Sequence, residues 1–543
     1  MKIKKFICPI VALLLMAACG DYVEVNTSTT GATDEELKQG GLLYGAFFMK
    51  MQQTVIPIGS PSQVTSPGND LQNTDLISSG NYIGYFGNNN NWSFNIEATW
   101  NFAPNRMEYA YDNFYSKLFQ SWSEVHLKLK DSDDPKDQEV SAVIDIVKIL
   151  GWLRATDVFG PIVYTKAGMG ELSPVPDNQE TVYKAMLADL AKDAQILNQS
   201  TSKVMKRFDL IYDGDAAKWT KLANSLILRM AVRVHFKDQA LATEYIQKAL
   251  DPINGGVIET ISDEAKIQSS DKMPLLNSII ASIDYKETRM GATIWSYMDG
   301  FKDPRLQALF TLGVFNKNEG FYPIAATNSQ PKKVGDNTAE FASVPKVTAT
   351  SPLYWFRASE TFFLKAEAAL YGLTDGDPGT LYNKGVSISF DENRVSGADK
   401  YLAQDAVKPT ATTTENYHYG SYSYDISDGN VVPKWNNTDT NEKKLQRIIT
   451  QKYLALYPNA VEAWTEYRRT GYPYLMPPMD KGAYLRIGSS DSNCMTPERF
   501  KFSPKSYISL DKGTITELLG GEDQGATRLW WVRDDRPKQP SGN

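Results

Sequence analysis

The sequence is poor in the two side chains that most often carry chemistry. It has three cysteines and three histidines in 543 residues. The histidines, His126, His235 and His418, stand far apart, and none has further ligand-type residues at metal-binding spacing. No zinc-protease helix, nucleophile elbow or phosphate-cradling loop occurs. A glycosidase needs two carboxylates at a set separation, and none of the 64 acidic residues is singled out for that role. No catalytic residue, metal or cofactor is therefore expected. A basic excess is lacking too: the formal net charge is −7, which argues against a nucleic-acid binder. His126 and His235 lie in helical patterns, where packed or surface roles are expected.

Long apolar runs are absent after the first twenty residues. Lys2, Lys4 and Lys5 precede an apolar stretch from Phe6 to Ala18 that is too short to span a bilayer. It ends in Leu15-Met16-Ala17-Ala18-Cys19-Gly20, which is similar to a bacterial lipobox. The reading is a lipoprotein signal peptide over 1–18, lipidation of Cys19, and a polar tether over 19–33. Acyl chains would then be the sole membrane anchor. Cys8 leaves with the leader and Cys19 carries lipid. Cys494 then stands alone, so no intrachain disulfide is expected. With no histidine near it in sequence, Cys494 is expected to be a packed or loop thiol. Stability must come from a large core, and 42% hydrophobic with 22% charged residues is ordinary globular usage.

What the chain does have is helical periodicity and aromatics, with 29 Tyr and 11 Trp. Residues 445–475, LQRIITQKYLALYPNAVEAWTEYRRTGYPYL, read as two helices. Pro458 ends the first, Asn459 caps the second, and Gly471 and Pro473 stop it. Arg468 and Arg469 are expected to be helix-end cations with ion-pair partners. Strong helical patterns also cover 140–156, 178–197 and 215–234, the last two capped by Asp177 or Asn178 and by Asp215. Trp219, Trp355, Trp464, Trp530 and Trp531 fall within helical or closing patterns and are expected in the core. Residues 57–104, 312–352 and 403–433 lose periodicity and read as long irregular insertions, a kind of segment that is usually functional.

Several of these stretches resemble, in order, phrases of the SusD/RagB family: RATDVFGPIVYTKA (154–167), SPVPDNQETVYKAMLADLAKDAQIL (173–197), DLIYDGDAAKWTKLANSLILRMAVRV (209–234), DPRLQALF (303–310), FLKAEAALYG (363–372), QKYLALYPNAVEAWTEYRRTGYP (451–473) and the closing LWWVR (529–533). In the first, Pro161-Ile162-Val163-Tyr164 departs from the family's usual wording. The resemblance implies a mainly α, tetratricopeptide-like scaffold with long irregular insertions, a single SusD-like domain over 34–543. It also implies a surface-exposed outer-membrane lipoprotein that binds oligosaccharides, or peptides, and delivers them to a SusC-like TonB-dependent transporter.

Sugar rings bury their apolar faces on flat aromatics while amides and charges orient the hydroxyls. The segment 81–100 offers both kinds of group. Tyr82, Tyr85, Asn91, Trp92 and Trp100 are the first candidates for ligand contact, with Trp295 and neighbouring Tyr297 second. The cluster Tyr417, Tyr419, Tyr422 and Tyr424 could face ligand or transporter. The competing expectation for each is packing, since large aromatics are mostly buried. Two other functions compete: a secreted glycan-degrading lipoenzyme, and a structural lid with no ligand of its own.

Overall fold

Helices are set by caps at their N-termini and by apolar stripes along them. The computed structural model describes residues 42–63, 65–88, 97–271, 273–285, 287–315, 317–326, 342–412, 423–507 and 512–540. The leader, the tether, Cys19, Asn91, Trp92, Tyr417, His418, Tyr419 and Tyr422 lie outside them. The chain divides into residues 1–46 and 47–543. Of the first unit only the start of helix α1 (Leu42–Val55) is described.

In the second unit α2 (Thr65–Leu71) leads into a π-helical segment, Gln72–Ser79. There follow α3 (Pro104–Tyr111), α4 (Lys117–Leu129), α5 (Pro135–Phe159), α6 (Gln179–Asn198), α7 (Ala216–Val234) and α8 (Gln239–Leu250). From α4 to α8 each helix packs on the next, the tetratricopeptide-like arrangement. After α9 (Ala292–Gly300), helices α10 (Ala358–Leu370), α11 (Pro378–Glu392) and α12 (Asn441–Leu456) form a second packed group, and α13 (Ala460–Thr470) follows. A short helix, α14 (Lys512–Leu519), lies near the end. Strands are minor: β1 (Phe86–Asn88) pairs with β3 (Thr288–Met290), β2 (Ala265–Ile267) with β6 (Leu353–Phe356), and β4 (Gly313–Phe315) with β5 (Asn318–Gly320), all antiparallel.

The caps follow the sequence closely. Asn178, Asp215, Thr440 and Asn459 each accept a hydrogen bond from a backbone N–H in the first turn of their helix. Asp177, the rival cap for α6, instead accepts from the backbone N–H groups of Tyr164 and Thr165. Gly471 ends α13 at φ 85°, a left-handed turn that favours glycine.

Charge is buried between helices as well as at their ends. Arg229 of α7 meets Glu360 of α10 at 2.7 Å, and Arg233 meets Asp157 of α5 at 2.7 Å and Glu462 of α13. Arg469 reaches Glu367 of α10 and Glu466, each at 2.6 Å. Arg468 instead stacks on Trp464, 3.6 Å from the ring centre, and donates to the backbone oxygens of Asp157 and Glu498. Of the tryptophans expected inside, Trp219, Trp355, Trp464 and Trp531 are buried, whereas Trp530 is half-buried at the surface.

Two expectations differ from the structure. Residues 65–82, read as irregular, are helical with a π turn. The helix was hidden because its inward side chains are polar: Asp75 takes both oxygens to Arg154 at 2.7 Å, Gln72 binds Glu287, and Asn73 binds Glu97. Hydrophobic periodicity does not register a face satisfied by hydrogen bonds. Trp295, outside the helical patterns named from the sequence, sits inside helix α9.

Candidate functional site

The candidate site is built on one turn. Residues Glu97–Thr99 form a 3-10 turn, and the N–H of Trp100 donates to the Glu97 oxygen at 2.9 Å. Glu97 is fully buried and holds Arg106 of α3 through both carboxylate oxygens, at 2.8 to 3.2 Å. Asn73 donates to the same carboxylate, and the Tyr82 hydroxyl donates to the Glu97 backbone oxygen at 2.7 Å. Burial pushes the Glu97 carboxyl up, with Arg106 opposing. From the other side Arg486 donates to the Thr99 oxygen at 2.7 Å. Trp100 follows at φ 57°, a left-handed conformation that is strained for a bulky side chain and persists only where the surroundings enforce it. The turn supplies that enforcement.

Trp100 lines a cavity of about 340 Å³ together with Tyr424, Tyr484, Asp480, Lys481 and Asn493, over a floor that includes Pro477 and Pro478. The described edges of all three long insertions meet here. Trp100 closes the first. The N–H of Met479 donates to the Ala326 oxygen at 3.3 Å, which ties in the second. Tyr424 bridges Thr412 through backbone bonds of 2.9 and 3.3 Å across the third. Asp480 pairs with Arg486 at 2.6 Å, so the base of the cavity and the 97–100 turn share one arginine. Trp100 is 2% exposed and belongs to the wall; the half-buried rings of Tyr424 and Tyr484, beside a lysine, an asparagine and a paired aspartate, can bury the apolar face of a ring-shaped ligand and orient its polar substituents.

Of the aromatic residues singled out in the sequence, Trp100 and Tyr424 are the described ones that line this cavity. Tyr82 and Tyr85 are buried beneath it. The Tyr82 ring meets Trp464 edge-on at 5.3 Å; Tyr85 stacks on Tyr453 at 4.7 Å and its hydroxyl donates to the Tyr453 oxygen. Trp295 is 5% exposed. All three are core side chains, and Trp100 itself, at 2% exposed, is buried to the same degree while lining the cavity wall. Tyr297 is buried as well, and its hydroxyl donates to the Tyr474 oxygen at 3.0 Å. Asn91 and Trp92 lie outside the described residues.

Asp480, Lys481 and Tyr484 were missed. They sit in PPMDKGAY (477–484), directly after the helix pair that organises the sequence. The available signal was two prolines followed by charged and aromatic residues with no period. Cys494 is the loop thiol expected: half-buried, it donates to the Thr496 oxygen at 3.0 Å. His235 is buried against Glu367 at 3.0 Å, and His126 stacks on Trp122 at 4.3 Å.

A family model described as SusD-like, the Susd and RagB outer membrane lipoproteins, matches residues 24–532. The solved structure of BT1043 is 60% identical, with a TM-score of 0.89 over 92% of this chain and 99% of that one. A SusD homologue from Bacteroides vulgatus is 27% identical, with a TM-score of 0.80 over 93% of this chain and all of that one. A chitin-binding SusD homologue from Flavobacterium johnsoniae is 29% identical, with a TM-score of 0.80 over 90% of this chain and 99% of that one. Among proteins of curated function no match is found.

Proposed function

Because the chain belongs to the SusD-like family of outer-membrane lipoproteins, we propose that it binds nutrient oligosaccharides at the cell surface and delivers them to a SusC-like TonB-dependent transporter. In this reading it is held at the membrane by lipid on Cys19. The observation that carries the reading is the cavity at Trp100. The turn ending at the buried Trp100 forms its wall, and the half-buried rings of Tyr424 and Tyr484 line it, with charged and amide groups at the rim. The chitin-binding homologue from Flavobacterium johnsoniae supports a glycan as the cargo.

The cavity favours binding over hydrolysis. Among its described lining residues Asp480 is the one carboxylate, and it is engaged by Arg486. Neither mechanism of glycoside hydrolysis runs on a single carboxylate committed to an ion pair. Calorimetry with a glycan panel tests the reading. Tyr484→Ala should weaken binding by about tenfold, the worth of one stacked aromatic contact. Heat unchanged by the substitution removes the cavity from the function. No heat with any glycan leaves the structural lid, and new reducing ends after incubation favour the lipoenzyme.

A further inference from the structure

A second cavity adjoins the first. It has a volume of about 150 Å³ and is lined by Tyr467, Glu498, Arg528, Arg536 and Lys538. The two cavities share Asn493, Cys494, Met495 and Gln539, so they are neighbouring pockets of one groove. Gln539 is locked in place: its amide donates to the Leu475 oxygen and accepts from the Leu475 N–H, each at 2.6 Å. The groove is therefore pre-formed on a fixed strip of chain.

Its charges are unevenly paired. Every carboxylate lining either cavity is engaged by a cation: Asp480 by Arg486 at 2.6 Å, Asp491 by Lys538 at 2.8 Å, and Glu498 by Arg536 at 2.5 Å. Two cations, Lys481 in the first cavity and Arg528 in the second, have no ion-pair partner among the described residues. Burial pushes the Cys494 thiol up to about 12, so it adds no negative charge. The groove is thus locally positive on a chain whose net charge is −7. A surplus of this kind draws in and orients anionic ligands. Guanidinium also offers a planar fork matched to the oxygens of a carboxylate or sulfate.

We propose that the groove takes an acidic oligosaccharide, with one sugar ring stacked in the Trp100 cavity and an anionic substituent on an adjoining unit held by Arg528. The proposal rests on the glycan-binding reading above and specifies the class of glycan. The anion is a carboxylate or a sulfate, and the experiment separates them.

The intact mature chain is applied to an array on which each neutral oligosaccharide stands beside its carboxylated and its sulfated counterpart. Affinities for the strongest pairs are then measured by calorimetry at low and at physiological salt. The acidic member should bind about tenfold more tightly, and the margin should shrink with salt. Arg528→Gln should remove that margin while leaving affinity for the neutral member unchanged, and Arg528→Lys should keep part of it. Arg528 is exposed, so these variants leave the core alone. Tyr484→Ala, which removes a half-buried ring from the Trp100 cavity, should weaken both members equally. Neutral glycans bound as well as acidic ones, or a margin that survives Arg528→Gln, overturns the proposal and leaves glycan binding standing. An array with no bound glycan of any kind overturns both.

Discussion

At the scale of single residues, the decisive quantity is what surrounds a charge. Glu264 and Glu392 both point at Arg357, whose Nε lies 3.6 Å from one carboxylate and 3.3 Å from the other. One guanidinium faces two acids. Burial first, and the neighbouring Glu392 second, raise the Glu264 carboxyl to about 8. The fold therefore holds a proton that the unfolded chain has released above its ordinary value of 4.5. The stabilising contribution is complete below that ordinary value and is lost as pH rises through about 8. Glu264→Gln fixes the neutral state. Its melting temperature should match wild type near pH 5 and exceed it near pH 9. Melting curves across that range check this; parallel curves for the two proteins would contradict it. Tyr82 and Tyr85 carry a second lesson. Sequence marks a tyrosine as able to stack on sugar, but a hydroxyl bonded to a backbone oxygen and a ring stacked in the core decide otherwise.

At the scale of elements, caps and apolar stripes placed the helices, and ion pairs join them. The wording around Arg468 and Arg469 indicated a helix end, where cations are favoured. It did not show that Arg469 would be fully buried and would bind α13 to α10 through Glu367. Burial alone would raise the Glu367 carboxyl, but Arg469 and His235 prevail and hold it at about 2. The stability this pair contributes is present above the ordinary carboxylate value and is lost as pH falls from there toward about 2. Arg469→Ala leaves Glu367 buried without its arginine, and Glu466 with only the longer contacts to Lys452 at 3.4 Å and Arg233 at 3.7 Å, and should cost about 3 kcal/mol or more. Urea unfolding at neutral pH measures it. A cost under 1 kcal/mol would mean that solvent or a neighbouring cation takes over. The polar-faced helix at 65–82 shows the limit of periodicity. Its inward residues are held by partners such as Arg154 and Glu287, far away in sequence, which no local window contains.

At the scale of the whole molecule, no helix among the described residues is long and apolar enough to cross a membrane. The membrane association of an outer-membrane lipoprotein then falls, in our reading, to the acyl chains on Cys19. Cys19→Ala should move the protein from the membrane fraction to the soluble fraction while leaving glycan affinity in calorimetry unchanged. Retention in the membrane fraction would point to a protein-mediated anchor. Across the described residues the three insertions that interrupt helical periodicity converge on one place. Their edges come together at the Trp100 cavity, on a frame that the packed helices and their buried ion pairs keep rigid.

Sequence by itself determined the helical class, the caps at Asp215 and Asn459, and the family, because these depend on local spacing and on wording that survives in linear order; it left the α6 cap between Asp177 and Asn178. It also placed Trp100 among the candidates. Only the tertiary structure decided which aromatics keep a face toward a cavity, that residues 477–484 complete it, and that Lys481 and Arg528 have no ion-pair partner among the described residues along one groove. Those facts are differences in solvation and in distant pairing. A side chain's chemistry is the same in either state; its partners exist only once the chain has folded.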